Sequence, residues 1–325
     1  MIPLEEIKDL YTNQLKHKLL GLERTRKNVL TLYIFAIVLI FVPVAVYFLF
    51  KNSPDVHFSR FFPILILGAL SGVVFIFMAI KKHRVYRAIF KKEVVSRIVH
   101  AIDPEWSYQA DACLSQIEYS SSDLFRTAFD RYNGDDLISG VIESTDFRCS
   151  ELHTEYKTTT TDSKGKSRTE WHTIFKGLFF HADFNKEFFG KTYVVPDQME
   201  KLFGKFGQNI QRYTGNADLV KLENPEFEKY FVVHATDQIE ARYILTPTMM
   251  EAMVKLRKEY NRSIHISFSG SRVYCAFSFG EDLFEPRVFK SGVNFKDIET
   301  IYNLFMINAT IIKELNLNTR IWTKK

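Results

Sequence analysis

VLTLYIFAIVLIFVPVAVYFLF (residues 29–50) and FFPILILGALSGVVFIFMAI (residues 61–80) decide the fold of this chain. Neither run contains a charged residue, and a helix of ~20 mostly apolar residues is long enough to cross the ~30 Å hydrocarbon layer of a bilayer. Because only residues 51–60 join the two runs, we predict a transmembrane helical hairpin. The alternative is the buried hairpin of a soluble protein, but core helices normally keep a polar stripe. Pro43 predicts a kink in the first span rather than a break.

Small residues recur in the second span. Gly68 and Gly72 have the G-x-x-x-G spacing, which lets two helix backbones approach closely. The spacing indicates either a homo-oligomer contact or packing against the first span. We favour packing within the hairpin, because a ten-residue connection forces the two spans together.

The distribution of Lys and Arg predicts the orientation of the hairpin, because these residues accumulate on the cytoplasmic side. The basic residues near the spans are, before the first, Lys16, Lys18, Arg24, Arg26 and Lys27 and, after the second, Lys81, Lys82, Arg84, Arg87, Lys91, Lys92 and Arg97. The connection carries only Lys51 and Arg60. We therefore expect a multi-pass protein of the cell inner membrane with both termini in the cytoplasm.

The positive charge belongs to the membrane-flanking part of the chain. Residues 1–92 hold 14 Lys and Arg against 5 Asp and Glu, whereas the remainder holds 29 against 33. A mildly acidic second part argues against nucleic-acid binding through phosphate contacts. The three cysteines are Cys113, Cys149 and Cys275, an odd number without C-x-x-C spacing. This usage suits reduced thiols in the cytoplasm and predicts neither a disulfide framework nor a zinc site.

Apolar periodicity continues on both sides of the hairpin and predicts helices over residues 4–28 and 81–101, whose apolar stripes we expect to pack on each other. Asp103-Pro104 ends the second helix. We therefore predict a membrane hairpin with flanking cytoplasmic helices over residues 1–103. A cytoplasmic domain should follow over residues 104–325, with a division into two subdomains near residue 215.

Helices and paired strands alternate in the second part, which predicts an α+β fold with an antiparallel sheet. The predicted strands cover residues 137–142, 147–156, 171–184 with a bulge at Gly177, 193–195, 227–233, 264–268 and 273–279, the last two forming a hairpin. The predicted helices cover residues 121–129, 197–212, 237–245, 246–260 and 295–315. Lys157 to Thr169 is polar and is predicted to be a long exposed connection or a flexible hairpin tip.

Several stretches together resemble a known family. They are GDDLISG (134–140), SELHTEY (150–156), IFKGLFFHADFNK (174–186), GKTYVVPD (190–197) and ENPEFEKYFVVHATDQIEARYILTP (223–247). In this order they are similar to an uncharacterised bacterial membrane-protein family, domain of unknown function 3137. The resemblance extends over nearly the whole chain and implies two N-terminal spans and a cytoplasmic domain. It implies no activity and no catalytic residue.

One predicted strand carries residues with metal-binding chemistry. Alternation places Cys149, Glu151, His153 and Glu155 on one face, and His172, His181 or Asp183 of the next strand would supply further ligands if the two strands pair. The wet face of an antiparallel sheet collects the same residue types without a metal. We favour that interpretation and assign no metal ligand, cofactor or catalytic residue.

These observations favour a membrane-anchored cytoplasmic binding or scaffold protein, with the bilayer and a cytoplasmic or membrane protein as partners. One alternative is a membrane-tethered enzyme with a polar site near His153, His172 and His181. Another is an anionic-lipid-binding module that uses the basic KGKSR tip at residues 164–168.

Overall fold

The computed structural model describes residues 2–50, 62–162, 165–184, 187–197 and 217–315. They fold into two compact units. The first contains residues 1–101 and 284–301, and the second contains residues 102–283 and 302–325. The sequence offers no signal that residues 284–301 return to the N-terminal helices. The predicted helix at residues 197–212 falls almost wholly outside the described residues, as does the predicted division near residue 215.

The first unit is built from two long helical segments. The first comprises α1 (Leu4–Leu10), a π-helical turn (Tyr11–Leu15) and α2 (Lys16–Phe50), and the second comprises α3 (Phe62–Phe90), a π-helical turn (Lys91–Val95) and α4 (Ser96–Ile102). Pro43 lies within α2, and the helix continues through it. Both segments are long and apolar enough, by length and composition, to cross a membrane.

Glycines allow α2 and α3 to approach each other closely. A Cβ at Gly72 would lie 2.5 Å from Ile40 Cγ1, and one at Gly68 would lie 3.1 Å from Pro43 Cγ. The small-residue face therefore packs against the first helix of the same hairpin. A contact between two copies through these glycines stays a prediction, and α2 already occupies the space beside them. The pairing continues beyond the apolar runs, where Lys18 Nζ lies 2.9 Å from Glu93 Oε2.

The second unit contains one nine-stranded antiparallel sheet in the order β1-β2-β3-β4-β9-β8-β5-β7-β6. Its strands are β1 (Ser107–Gln109), β2 (Arg131–Ile142), β3 (Thr145–Thr161), β4 (Ser167–Asp183), β5 (Thr192–Pro196), β6 (Asp218–Val220), β7 (Phe231–Ala235), β8 (Ile264–Ser269) and β9 (Arg272–Ser278). Its helices are α5 (Gln116–Ser121), α6 (Pro225–Glu228), α7 (Gln238–Ile244), α8 (Pro247–Tyr260) and α9 (Phe295–Glu314), which begins in the first unit. The predicted α+β class with an antiparallel sheet and two long apolar N-terminal helices is confirmed.

Apolar side chains cover both faces of the sheet. On one face Tyr119 of α5 packs 5.2 Å from Phe179 of β4, measured between ring centroids. On the other face Tyr260 of α8 packs 5.9 Å from Phe277 of β9. Tyr260 also donates a hydrogen bond to Thr310 of α9 over 3.3 Å, so α8 and α9 lie on the same side. The middle of the sheet is thus buried on both faces.

Local signals predicted several elements well. Asp237 caps α7 by accepting hydrogen bonds from two backbone N–H groups, and Thr246 caps α8 ahead of Pro247. The predicted hairpin of β8 and β9 is present with the expected turn. These elements are confirmed because each depends on residues close together in sequence.

Other predictions are wrong. No helix covers residues 121–129, because Asp123 adopts a left-handed conformation with φ of +54° just after α5. The predicted bulge at Gly177 is also wrong, since the register between β3 and β4 shifts at Thr154 and Glu155 instead. The strand predicted over residues 227–233 begins at Phe231, after the short helix α6.

Gly177 has a different role from the one predicted. Its φ is +149°, and a Cβ there would lie 2.0 Å from the carbonyl oxygen of Phe277 in the neighbouring strand β9. Only a glycine lets β4 and β9 approach this closely. Gly177 therefore permits the strand pairing that connects β1–β4 to the other five strands of the sheet.

We expect Gly177→Ala to lower the free energy of unfolding by ~3 kcal/mol or more, since it combines backbone strain with a backbone clash. Urea unfolding of the full chain in detergent, followed by tryptophan fluorescence, measures the change. Gly280→Ala is the matched control, because a Cβ at Gly280 meets nothing within 4 Å. Equal stability of both variants would contradict this role.

Candidate functional site

Strands β3 and β4 extend beyond their neighbours. They pair with each other from Phe147↔Ala182 to Thr161↔Ser167. The pairing of β2 with β3 begins at Glu155, and β9 pairs with β4 only from Gly177 onwards. Residues 156–161 and 167–172 therefore form a two-stranded projection, here called the ribbon. Six residue pairs give it a length of ~20 Å.

Polar cross-strand pairs hold the ribbon together. Thr158 Oγ1 lies 2.7 Å from His172 Nε2, and that ring stacks on Tyr156 with centroids 5.0 Å apart. At its base the guanidinium carbon of Arg131 lies 3.4 Å from the centre of the Trp171 ring, a cation–π contact. The hairpin predicted as one alternative for residues 157–169 is present and exposed, whereas a long connection is wrong, because most of these residues are paired strand. The threonines form strand, which suits β-branched side chains.

The described residues at the tip of the ribbon carry basic side chains. The backbone N–H of Lys166 donates to Asp162 Oδ1 over 2.8 Å, and Gly165 has φ of +78°. The side chain of Arg168 is 80% exposed and lies 3.0 Å from Glu170 Oε1. Lys164 of the predicted KGKSR tip lies outside the described residues. The tip therefore presents cations at the far end of a projecting element.

The proposed metal-binding face of β3 is divided by burial. Cys149 is fully buried, and burial raises the pKa of its thiol well above the ordinary value. Glu151 is also buried, which with the nearby carboxylate of Asp135 raises its pKa to about 8. One of its carboxylate oxygens accepts a hydrogen bond of 2.9 Å from the N–H of Leu283. The four residues predicted for this face, Cys149, Glu151, His153 and Glu155, therefore do not share a solvent-exposed surface.

His153 and Glu155, the other two residues predicted for this face of β3, are partly exposed. His153 Nε2 lies 3.8 Å from Glu155 Oε1 and 3.4 Å from Thr173 Oγ1. The remaining cysteines do not form an activated thiol. Burial raises the pKa of Cys275 and, together with the carboxylate of Asp135, that of Cys113. A thiol with a raised pKa is a poor nucleophile at neutral pH.

The three histidines of the predicted enzyme site lie far apart. His172 pairs with Tyr156, His153 pairs with Lys176, and His181 pairs with Arg148. His172 and His181 are nine residues apart on one strand, a distance of ~30 Å. The structure therefore does not bring these histidines into one site.

His181 instead belongs to a buried polar network. Its Nδ1 accepts a hydrogen bond of 2.9 Å from Arg272, so the ring proton is on Nε2, which donates to Glu118 Oε1 over 3.2 Å. Burial and the neighbouring charge of Arg272 lower the pKa of His181 to about 4. The ring is neutral at pH 7, and both nitrogens are occupied.

The carboxylate of Glu118 is itself fixed by the start of α5. Its Oε2 accepts hydrogen bonds of 2.7 Å from the backbone N–H and from the hydroxyl of Ser115, while Arg148 pairs with Oε1. Burial opposes ionisation here, but these hydrogen bonds and the charge of Arg148 lower the pKa of Glu118 overall. The S-x-x-E spacing of Ser115 and Glu118 is a capping-box signal that would have located α5.

Asp123 forms a second polar cluster on the same sheet face. Its Oδ2 accepts hydrogen bonds from Arg126 (2.6 Å), Lys191 (2.9 Å) and the hydroxyl of Tyr193 (2.9 Å). Burial and the adjacent carboxylate raise the pKa of Tyr193 to about 12. Two of these donors, Lys191 and Tyr193, belong to β5 or the residues just before it. The cluster therefore holds the loop after α5 against β5.

Fold and surface together define an α+β protein with two long apolar helices, a large antiparallel sheet and a projecting ribbon. A family model described as "Protein of unknown function (DUF3137)" matches residues 173–317. The family resemblance predicted from the sequence is confirmed for this part of the chain. The matched family carries no described activity.

Two further comparisons add no function. The crystal structure of the mycobacterial trehalose monomycolate transport factor A, TtfA, aligns with 67% of this chain and 94% of its own, at 8% sequence identity and a TM-score of 0.32. A likeness this small supports no conclusion about fold or function. No curated protein sequence matches the chain.

The low pKa of His181 predicts a pH-dependent stability. Its ordinary pKa is 6.5 and its folded pKa is about 4, so between these values the unfolded chain binds a proton that the folded chain does not. The stabilisation is complete above pH 6.5 and is lost as the pH falls towards 4. We expect the loss between pH 7.5 and pH 5 to be about 2 kcal/mol smaller in His181→Gln than in the wild type.

Urea unfolding of both proteins at the two pH values measures this difference. For each protein, the free energy of unfolding at pH 5 is subtracted from its own value at pH 7.5. A lower stability of the variant at pH 7.5 therefore does not affect the result. An identical pH dependence in the two proteins would show that His181 does not carry it.

Proposed function

We propose that this chain is a membrane-anchored binding or scaffold protein. In this proposal α2 and α3 cross the bilayer as a hairpin, and the sheet domain presents its ribbon to a protein partner in the cytoplasm. The observation that carries the proposal is the exposure of the apolar side chains of both helices. The most apolar stretch of each helix is only 11% buried.

Side-chain exposure supports lipid as the surroundings of these helices. Leu49 is 75% exposed, Leu67 69% and Phe77 68%. The core helix of a soluble protein would bury such residues, whereas a lipid-facing helix exposes them to acyl chains. The hairpin therefore fits a bilayer better than water.

Charge supports the proposed orientation. The basic residues that precede the first span and follow the second outnumber those in the connection, Lys51 and Arg60. Both termini then lie in the cytoplasm of a bacterial cell, with the connection on the outer side of the inner membrane. The neighbouring anionic leaflet favours the same arrangement.

The ribbon is the surface that best fits a protein partner. Among the described residues, β4 pairs only with β3 from Ser167 to Phe175, so its other edge offers backbone hydrogen-bonding groups. Such an edge accepts an added strand from an extended peptide. We therefore propose an extended segment of a cytoplasmic protein as the ligand of this edge.

Arginine substitutions test the membrane anchor. Leu67→Arg combined with Leu70→Arg places two charges on exposed positions of α3. In a bilayer each costs ~2.5–3.5 kcal/mol near the centre of a span, so the protein should become extractable from membranes by alkaline carbonate. On a water-exposed helix the same changes should cost less than ~0.5 kcal/mol each.

Ile117→Arg is the matched control, since this residue is exposed in the second unit. The control should stay in the membrane fraction as the wild type does. Membrane retention of the double variant equal to that of the wild type would overturn the anchor.

Site-specific photo-crosslinking in cells tests the ribbon. A benzophenone amino acid at Thr160 or at Glu170, both exposed on the ribbon, should form an adduct with one and the same protein. The control position is Glu251, which is exposed on α8. The proposal fails if the ribbon positions give no common adduct, or if Glu251 gives the same one.

A second candidate function is anionic-lipid binding by the ribbon tip. The exposed cations Lys166 and Arg168 favour it, because basic residues near a membrane attract anionic lipids at ~1 kcal/mol each. An environment-sensitive fluorophore at Ser167→Cys in proteoliposomes should shift to shorter wavelength as anionic lipid is added. The shift should disappear when both cations are changed to Gln, and its persistence would exclude this function.

A further inference from the structure

Residues 284–294 return to the N-terminal helices and are fixed there by charged groups. Glu285 Oε1 lies 2.7 Å from Arg87 Nε and 3.1 Å from Lys91 Nζ, and the side chain of Lys91 is only 2% exposed. Further along, Ser291 donates to Glu23 Oε2 over 3.3 Å. We call residues 284–294 the return segment.

Arg26 fixes the centre of the return segment. It forms a bidentate ion pair with Glu23, in which Nε lies 2.9 Å from Oε2 and Nη2 lies 2.6 Å from Oε1. Its remaining guanidinium nitrogen donates to the backbone carbonyl of Val288 over 2.5 Å. Val288 is buried and Arg26 is 6% exposed, so the position of the next residue is well defined.

That next residue, Phe289, faces outwards. Its side chain is 75% exposed, although its ring centroid lies 6.4 Å from that of Tyr33. Tyr33 in turn contacts His83 edge-on at 6.3 Å. An exposed phenylalanine held against another aromatic side chain indicates a surface that meets an apolar or mixed environment.

The height of this aromatic group coincides with one boundary of the apolar runs. Tyr33 lies four residues inside the run 29–50, about one helical turn, and His83 lies three residues after the run 61–80. Aromatic rings are enriched at this level of a membrane, where headgroups meet acyl chains. Phe289 therefore lies where the interface would be if the two runs cross a bilayer.

The other end of the same part of the chain lies far from that boundary. Phe295 contacts Tyr11, with ring centroids 5.6 Å apart. Tyr11 precedes Tyr33 by 22 residues along the helix, a distance of ~33 Å. Phe289, near the middle of the return segment, therefore lies at the boundary of the apolar runs, whereas Phe295, just beyond the segment, does not.

Charges around Phe289 suit an anionic leaflet. Arg287 and Lys290 flank it in sequence and are exposed. The helices add exposed cations at the same level: Lys27, Lys81, Lys82 and Arg84. An aromatic side chain surrounded by Lys and Arg is typical of an interfacial anchor, in which the ring enters the interface and the cations contact lipid phosphates.

We propose that the return segment is a third membrane-contacting element, with Phe289 inserted into the interfacial layer and Lys290 directed to anionic headgroups. This inference rests on the proposed membrane anchor. The inference extends the proposed anchor, because residues more than 200 positions from the spans in sequence then contact the same bilayer.

Depth measurement by spin labelling tests the proposal. Proteins with one added cysteine, Phe289→Cys, Val42→Cys or Lys296→Cys, are made in a Cys113→Ser background, labelled and reconstituted into vesicles of phosphatidylcholine and phosphatidylglycerol. Cys149 and Cys275 are fully buried, and the unsubstituted background measures their residual labelling. Accessibility to oxygen, relative to a water-soluble nickel chelate, reports the depth of each label.

We expect the label at position 289 to shift away from the aqueous value at 296 and towards the lipid value at 42. Position 42 is exposed within the first span, and position 296 is exposed at the Tyr11 end. A label at 289 as accessible to nickel as the label at 296 overturns the inference. If the label at 42 is also aqueous, the membrane anchor itself fails, so the two failures are distinguishable.

Lipid composition tests the charged part of the proposal. Replacing phosphatidylglycerol by phosphatidylcholine should shift the label at 289 towards water, and Lys290→Gln should reduce this dependence. An equal depth in both vesicle types, unchanged by the substitution, would contradict the role of Lys290 while the insertion of position 289 is tested separately.

Discussion

The outer faces of α2 and α3 carry large apolar side chains that no other described part of the chain covers. Leaving one such side chain in water rather than burying it costs about 1.5–3 kcal/mol. A row of them would exceed the ~5–15 kcal/mol by which a domain is ordinarily stable. Exposed apolar surface of this kind is what the proposed membrane anchor would place in lipid, and the small faces of Gly68 and Gly72 are used within the pair, not to cover the outside.

The charged side chains at the ends of the two helices are arranged so that each buried cation has an acidic partner. Arg26 and Lys91 are buried, yet each is matched to a carboxylate, Glu23 for one and Glu285 for the other. A buried charge without a partner is strongly destabilising. Pairing each cation allows the helices to continue past the apolar runs and still hold the return segment. Apolar packing continues beyond the runs at residues such as Leu19 and Val94, and the ion pairs add to it.

Features that depend on neighbours in sequence were predictable, and features that depend on distant residues were not. The caps at Asp237 and Thr246 and the hairpin of β8 and β9 are local, and their patterns indicated them correctly. The left-handed Asp123 is stabilised by Tyr193, 70 residues away, so periodicity alone extended a helix through it. The contact of Arg26 with Val288 spans 262 residues and has no local signal.

The candidate site shows the same division more sharply. Alternation grouped Cys149 with Glu151, but it could not show that a second layer buries both. Likewise, the polar stretch after Tyr156 resembled a loop, because its threonines become strand only when paired across to residues 167–172. The sequence therefore identified the polar residues correctly and placed them in the wrong environments.

Hydrogen-bond saturation separates the residues that hold the domain together from those that offer a surface. Both nitrogens of His181 are engaged, and one oxygen of Asp123 accepts from three donors. Protonating the second ring nitrogen of His181 would break its hydrogen bond from Arg272, which argues against a role for this ring as a general base. The ribbon differs, because its polar side chains are exposed and, within the ribbon, one backbone edge of β4 pairs with no other described strand. Recognition by an added strand uses that kind of edge, so the available hydrogen-bonding groups of the ribbon support the proposed binding function.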